Sequence, residues 1–168
     1  MIVLGIDPGT IRMGYGVVEE KNGDIAFMGC GALDTPRRSS IGERLYFLYR
    51  ELLKIMTRYH PEAVAVETPF VSENIRTALA IGRAQAIALL AAAAQHIPCY
   101  EYTPAHIKQM ITSHGASTKE QVQEMVRLHL NLPEAPQPHD AADALAVAIC
   151  HFLEMRLSNL IAREKENV

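Results

Sequence analysis

No apolar run in this chain is long enough to cross a bilayer. The longest lies within Ala86–Ala94, against the roughly 20 residues that a spanning helix needs, so no membrane is expected among its partners. The N-terminus has neither a basic leader nor a cleavage site, and no signal peptide is expected. Cysteine is scarce. Cys30, Cys99 and Cys150 are scattered, without the close pairs of a zinc site or the density of a disulfide framework. They read as buried thiols in a reducing compartment, which makes the expected location cytoplasmic. Internal repeats are missing, and so are low-complexity tracts apart from one alanine-rich stretch. An excess of positive charge is missing too. The net charge of -3 argues against a generic nucleic-acid binder, although a site that gathers acids lowers the total while leaving a basic rim around it. What remains is ordinary: 168 residues, 49% apolar and 21% charged, suit a single soluble domain with a real core.

The chain is organised around its first ten residues. Ile2-Val3-Leu4-Gly5-Ile6 runs straight into Asp7, and Pro8-Gly9 stops the run. This reads as a buried strand with Leu4 and Ile6 on one face and Val3, Gly5 and Asp7 on the other. A carboxylate at the end of such a strand costs on the order of several kcal/mol if nothing compensates it. A metal ion, a cation or a set of donors can do so; the plain alternative is an Asx-turn onto the Gly9 and Thr10 backbone.

Gly14–Glu20 reads as a second strand and Ile25–Leu33 as a third, joined by a hairpin turn at Asn22-Gly23. Ile41, Leu45, Leu48, Leu52 and Met56 then recur at helical spacing, and that helix should end before His60-Pro61. Ala63–Glu67 repeats the opening pattern, an apolar strand closing on a carboxylate. A helix from an N-cap at Ser72 to about His96 carries Arg76 and Arg83, and its second half is apolar on nearly every side. Pro98–Tyr102 is a short strand. Thr103-Pro104 caps a short helix with Lys108, and Ser117-Thr118-Lys119-Glu120 reads as a capping box opening the next one. After a proline-rich linker, a last helix begins near Pro138 with Asp140 and Asp143 on one face of its first turn. First-turn acids often do no more than offset the helix dipole, but the alanines around this pair allow a close approach to another surface. Residues 1–156 are expected to form one domain and 157–168 a charged, fraying tail.

The predicted order β-β-β-α-β-α-β-α, with an extra helix late in the chain, defines an α/β fold. Its central mixed five-stranded sheet has three antiparallel strands first, then alternating strands and helices. The first and fourth strands can be neighbours at the sheet centre, with Asp7 beside Glu67 and the last helix packing Asp140 and Asp143 over them. Four carboxylates so placed cannot all stay ionised without cations. Hard divalent ions, above all Mg²⁺, resolve the repulsion. Two such ions about 4 Å apart clamp the attacking and leaving oxygens of an in-line phosphodiester displacement.

With those residues in place, the chain resembles the RuvC family of Holliday junction resolvases, which have an RNase H-like fold. The matching residues are G-I-D-P-G-T at Gly5–Thr10, A-V-E at Ala65–Glu67 with Phe70 after it, and T-P at Thr103-Pro104 with Lys108. S-T-K-E-Q-V-Q at Ser117–Gln123 and D-A-A-D-A-L-A at Asp140–Ala146 complete the set. The resemblance implies a catalytic and metal-binding tetrad of Asp7, Glu67, Asp140 and Asp143. It implies two Mg²⁺ per site, with Mn²⁺ able to substitute. It further implies a homodimer that nicks two like-polarity strands of a four-way DNA junction, leaving ligatable 5′-phosphate ends, and branch-migration motor proteins as partners.

Other residues take roles from resemblance and chemistry together. Lys108 and Lys119 are candidates for phosphate or developing charge, with Lys119 also placed among the catalytic residues; the plain reading makes both solvated lysines. Phe70 is a candidate to stack on an unpaired base, or else a loop anchor, and Arg76 a candidate phosphate contact. His139 is a possible extra metal ligand, since some family members use His where Asp140 stands. The alternatives are another RNase H-like nuclease acting on branched DNA or RNA, a sugar-kinase-like ATPase, and a non-catalytic junction-binding protein. An ATPase needs a second domain for its nucleotide, and a pure binding module has no use for four acids in register.

Overall fold

A computed structural model describes residues 1–68, 75–115 and 117–166, with side chains described as far as 164. Phe70 and the expected N-cap Ser72 lie outside the described residues. The chain forms β1 (Ile2–Asp7), β2 (Arg12–Lys21), β3 (Asp24–Asp34), α1 (Ile41–Tyr59) and β4 (Ala63–Glu67). It continues with α2 (Ile75–Ala94), β5 (Cys99–Tyr102), α3 (Pro104–Thr112), α4 (Lys119–His129) and α5 (His139–Glu166). The sheet order is β3-β2-β1-β4-β5, so the strand that carries Asp7 is central. It pairs antiparallel with β2 and parallel with β4, the mixed arrangement of an RNase H-like fold.

Local chemistry explains most of the boundaries. Asn22 and Gly23 turn the β2–β3 hairpin with φ of 55° and 92°, a region glycine enters freely and asparagine tolerates. The hairpin runs two residues further at its base than the apolar pattern indicates, because Arg12 pairs with Asp34 there. A capping box between Ser40 and Glu43 opens α1, and His60 ends it in the left-handed region, just before Pro61. The α1 stripe is buried from Leu48 to Met56, whereas Ile41 stays outside the core.

The capping box of α4 is shifted by one residue from the expected one. Thr118 is the N-cap and Gln121 its partner. Ser117 is buried, with its hydroxyl 2.6 Å from Thr112 Oγ1 and donating to the His114 carbonyl at 2.8 Å, so it ties down the end of α3 instead.

The two faces of β1 divide the core as its alternation predicts. Leu4 and Ile6 join α1 and α2 through Leu48, Leu52, Ala84 and Ala88. Val3 lies on the other side with Leu145, Val147 and Ile149 of α5. That helix lies almost on the sheet backbone. A Cβ on Gly5 would stand 2.0 Å from the Ala144 carbonyl oxygen, and one on Gly14 would stand 1.9 Å from that of Asp140. Only glycine admits so close an approach.

By length and composition both α2 and α5 could cross a membrane, contrary to the expectation from the short run Ala86–Ala94. Both instead pack on the sheet, α5 with its residues from Leu145 to Phe152 buried and α2 with an alanine stripe. The segment expected as a frayed tail is helical through Glu166, because α5 continues without a break. Beyond Arg156 its described side chains are exposed, Leu157, Leu160 and Ile161 among them.

Candidate active site

The sheet places the first two acids side by side. Ile6 is in register with Val66, so Asp7 and Glu67 end two adjacent parallel strands at the same edge. Asp7 is also in register with Gly14, and the absent side chain of Gly14 lets the Asp140 backbone sit directly above. Asp143 follows one turn along the same helix face. The C-terminal end of β4 is fixed from its far side, where the Tyr102 carbonyl accepts from both the N–H of Thr68 at 2.8 Å and its hydroxyl at 3.3 Å.

The electrostatics follow from this crowding. Burial first, then the charges of Glu67, Asp143 and Asp140, push the Asp7 carboxyl from 3.8 up to about 8, against the opposing pull of Lys119. Burial and then Asp143 push Glu67 from 4.5 up to about 7, opposed by Lys119 and Lys108. Lys119 Nζ lies 2.5 Å from Asp143 Oδ2. Burial works against the Lys119 charge, but the bond to Asp143 and the charges of Asp143, Asp7 and Asp140 outweigh it and hold the ammonium above its ordinary range. A cavity of about 240 Å³ opens between these groups, lined by Glu67, Lys108, Lys119 and Asp143 over an apolar floor that includes Ile107 and Val122.

The fold thus brings together Asp7, Glu67, Asp140, Asp143, Lys108 and Lys119. Among the described residues, no three carboxylate, imidazole or thiol groups stand close enough to enclose an ion as the side chains lie. The chemistry of the donor set nevertheless fits a hard divalent cation: four carboxylates, two of them held towards protonation by burial and by the charge of neighbouring acids. His139 is held by a neighbouring helix through one ring nitrogen. Its Nδ1 is 2.6 Å from Nε2 of Gln123 on α4, and Asp140, not His139, is the neighbour that bears on Asp7. Arg76 lines a second cleft of about 390 Å³ together with Gly9, Thr10 and Ile11.

Two residues escaped the sequence reading. Arg12 donates to Asp34 at 2.7 Å and holds its Nη1 3.8 Å from Asp140 Oδ2, a second cation beside the acids. Its signal lay in the hairpin register, since it stands two residues before Gly14, the partner of Asp7. Gln123 is only 7% exposed and orients the His139 ring. A polar residue on the apolar face of α4 was its only signal.

Comparison with known proteins converges on one group. Residues 3–151 match the family model for crossover junction endodeoxyribonuclease RuvC. The crossover junction endodeoxyribonuclease RuvC of Dehalococcoides mccartyi is 51% identical over 163 residues, 97% of this chain and 98% of that protein. The structure of Thermus thermophilus RuvC superposes with a TM-score of 0.86 at 37% identity, covering 94% of this chain and 97% of the other. The same protein in complex with a Holliday junction substrate gives 0.88 at 37% identity, with 94% and 96% covered.

Proposed function

The chain belongs to the RuvC family of crossover junction endodeoxyribonucleases, and on that premise we propose how its own residues carry out the reaction. It is a structure-specific endonuclease that resolves four-way DNA junctions. One observation carries the residue assignment. Asp7 is the carboxylate whose ionisation the other three all oppose, where two adjacent strand ends meet the first turn of α5. Asp7, Glu67, Asp140 and Asp143 would hold two Mg²⁺ ions, or Mn²⁺ in their place. When bound, the ions supply charge stabilisation to the attacking and leaving oxygens of the phosphodiester.

The remaining steps belong to the chain. Asp7, whose charge the other three acids oppose, would hold a cation together with them. Lys119, held beside the acids by Asp143, is placed to pair with a phosphate oxygen of the approaching strand. Lys108, across the same cavity, adds positive charge where the backbone must approach. Phe70 and Arg76 complete the DNA contacts, Phe70 by stacking on a base exposed at the nick. Residues 1–156 hold this machinery.

Paired nicks need two active sites, and a homodimer supplies them. The outward face of α2 presents Ile75, Leu79 and Leu90, all more than half exposed; the first two line a mainly apolar cleft of about 510 Å³ with Arg83. An uncovered face of this kind suits a second copy. Branch-migration motor proteins are the further partners this activity calls for, and the cytoplasm is its place.

The test is a nicking assay on a four-way junction and a linear duplex of the same sequence. In Mg²⁺ or Mn²⁺ the junction should be cut symmetrically and the duplex left intact. Ca²⁺ should support binding only, because its geometry is looser. Asp7→Asn should abolish cleavage while junction binding survives, since affinity resides in phosphate contacts elsewhere. Cleavage by Asp7→Asn near the wild-type rate overturns the assignment.

A further inference from the structure

Two clefts flank the acids, and the roles assigned so far use mainly one. The second lies between Gly9, Thr10 and Ile11, which follow Asp7, and the start of α2, where Arg76, Thr77 and Ala80 form the opposite wall. Its volume of about 390 Å³ is of the size of a small-ligand site. Ile11 forms its lip and is 70% exposed.

That exposure is imposed by the loop and not by slack. Thr35 is buried. Its hydroxyl donates to the carbonyls of Thr10 at 3.1 Å and Ile11 at 3.0 Å, and its N–H donates to Ile11 at 2.9 Å. Arg12, next in the chain, is fastened to Asp34 at 2.7 Å. The Ile11 backbone is therefore pinned on both sides, and its side chain is presented outward at a site that also carries an arginine.

A strand whose phosphate reaches Asp7 must continue in both directions, and the acids repel it unless positive charge stands on either side. Lys108 and Lys119 provide that charge on one side, and Arg76 provides it on the other. We propose that the Ile11–Arg76 cleft holds the nucleotide adjoining the scissile phosphate, with Ile11 packed against the face of its base. This rests on the junction-cleaving reading and adds to it a subsite and a residue that contacts the base. An apolar side chain set against a base helps to hold it out of the stack, the use made of inserted Ile and Leu wedges in bent DNA.

The experiment is a protein–DNA double-substitution cycle read by single-turnover cleavage in Mg²⁺. Wild type and Ile11→Ala are compared on an intact junction and on junctions carrying one abasic site at each of the two positions either side of the nick. Ile11→Ala should slow the intact junction by about tenfold, a factor that corresponds to one lost contact of this kind. At one position the abasic site should slow wild type by a similar factor and slow Ile11→Ala no further. Independent, multiplying defects at every position overturn the subsite, as does an Ile11→Ala protein that cuts at the wild-type rate. If wild type fails to cut any junction, the activity reading falls and the subsite falls with it. If wild type cuts and no position couples to Ile11, the subsite alone is lost.

Discussion

Lys119 Nζ stands 2.5 Å from Asp143 Oδ2, so one of the four acids already has a cation from within the chain. The pair holds part of the site's repulsion in check, since Lys119 lowers both Asp7 and Glu67. If Asp143 takes a metal ion and Lys119 a phosphate, as proposed above, each exchange frees a partner for the other.

Replacement of Lys119 by Met keeps the length of the side chain and removes its charge. Cleavage should fall by about 100-fold, the scale seen when one preorganised charge-stabilising group is lost. Junction affinity should change by much less, because one phosphate contact among many is a small share of binding. Single-turnover rates and a gel-shift titration at fixed salt measure the two quantities. Equal losses in both would make Lys119 a binding residue only.

Stability should depend on pH through Asp7 and Glu67. Their carboxyls sit at about 8 and about 7 in the folded protein, against 3.8 and 4.5 when free. Between roughly pH 4 and pH 8 the native state therefore binds more protons than the unfolded chain, and the metal-free protein should lose stability as pH rises through that window. Asp7→Asn removes the larger part of this effect. At pH 8.5 without divalent ions the variant should melt about 5 °C above wild type, and the gap should close towards pH 4. Mg²⁺ should raise the wild-type midpoint at high pH far more than that of the variant. Melting curves that run parallel at every pH would remove the carboxylate nest from the stability of the fold.

The apolar face of α2 gives a separate prediction about assembly. Leu90 is 55% exposed and points away from the alanine stripe that packs on the core. Leu90→Lys should leave the monomer folded and shift sedimentation from dimer to monomer. A wild-type protein that sediments as a monomer even on junction DNA ends the dimer proposal.

Much of this site could be read from residues that carry their own local signal. Asp7 and Glu67 each end an apolar run, Asn22-Gly23 dictates its turn, and Thr103-Pro104 opens α3 as its pattern requires, with the Thr103 hydroxyl accepting from the His106 N–H at 3.3 Å. The features that escaped depend on partners distant in the chain. Ser117 has the chemistry of a cap, but the end of α3 claims its hydroxyl, and Thr118 takes the role. The bond that orients His139 also has a distant partner, since Gln123, sixteen residues earlier, holds its Nδ1. Arg12 has no local signal of its own, and only the hairpin places it against Asp34 and Asp140. The length of α5 escaped for a different reason. Its last turns have no core contact to impose an apolar period, so their charge suggested a tail.

The glycines under α5 supply the last prediction, one that separates fold from site. Gly14 and Gly16 both lie beneath that helix, and a Cβ on either would collide with it. At Gly14 the collision is with the Asp140 carbonyl oxygen at 1.9 Å; at Gly16 it is with Leu145, whose Cγ and backbone nitrogen lie at 2.6 and 2.7 Å. Both collisions involve backbone, so the helix itself must shift, and each costs at least as much as ordinary overpacking, about 1–3 kcal/mol. The consequences for catalysis should differ, because Gly14 is in register with Asp7 and supports the acid-bearing turn directly, whereas Gly16 sits under a residue beyond both acids. A shift of about 1 Å in a reacting geometry can cost about 100-fold in rate. Gly14→Ala should thus lose roughly that factor in cleavage, and Gly16→Ala no more than about tenfold, at similar losses of melting temperature. Cleavage rates measured well below both melting points decide it. If the two variants lose activity in proportion to stability alone, close packing at Gly14 serves the fold and the acids find their places without it.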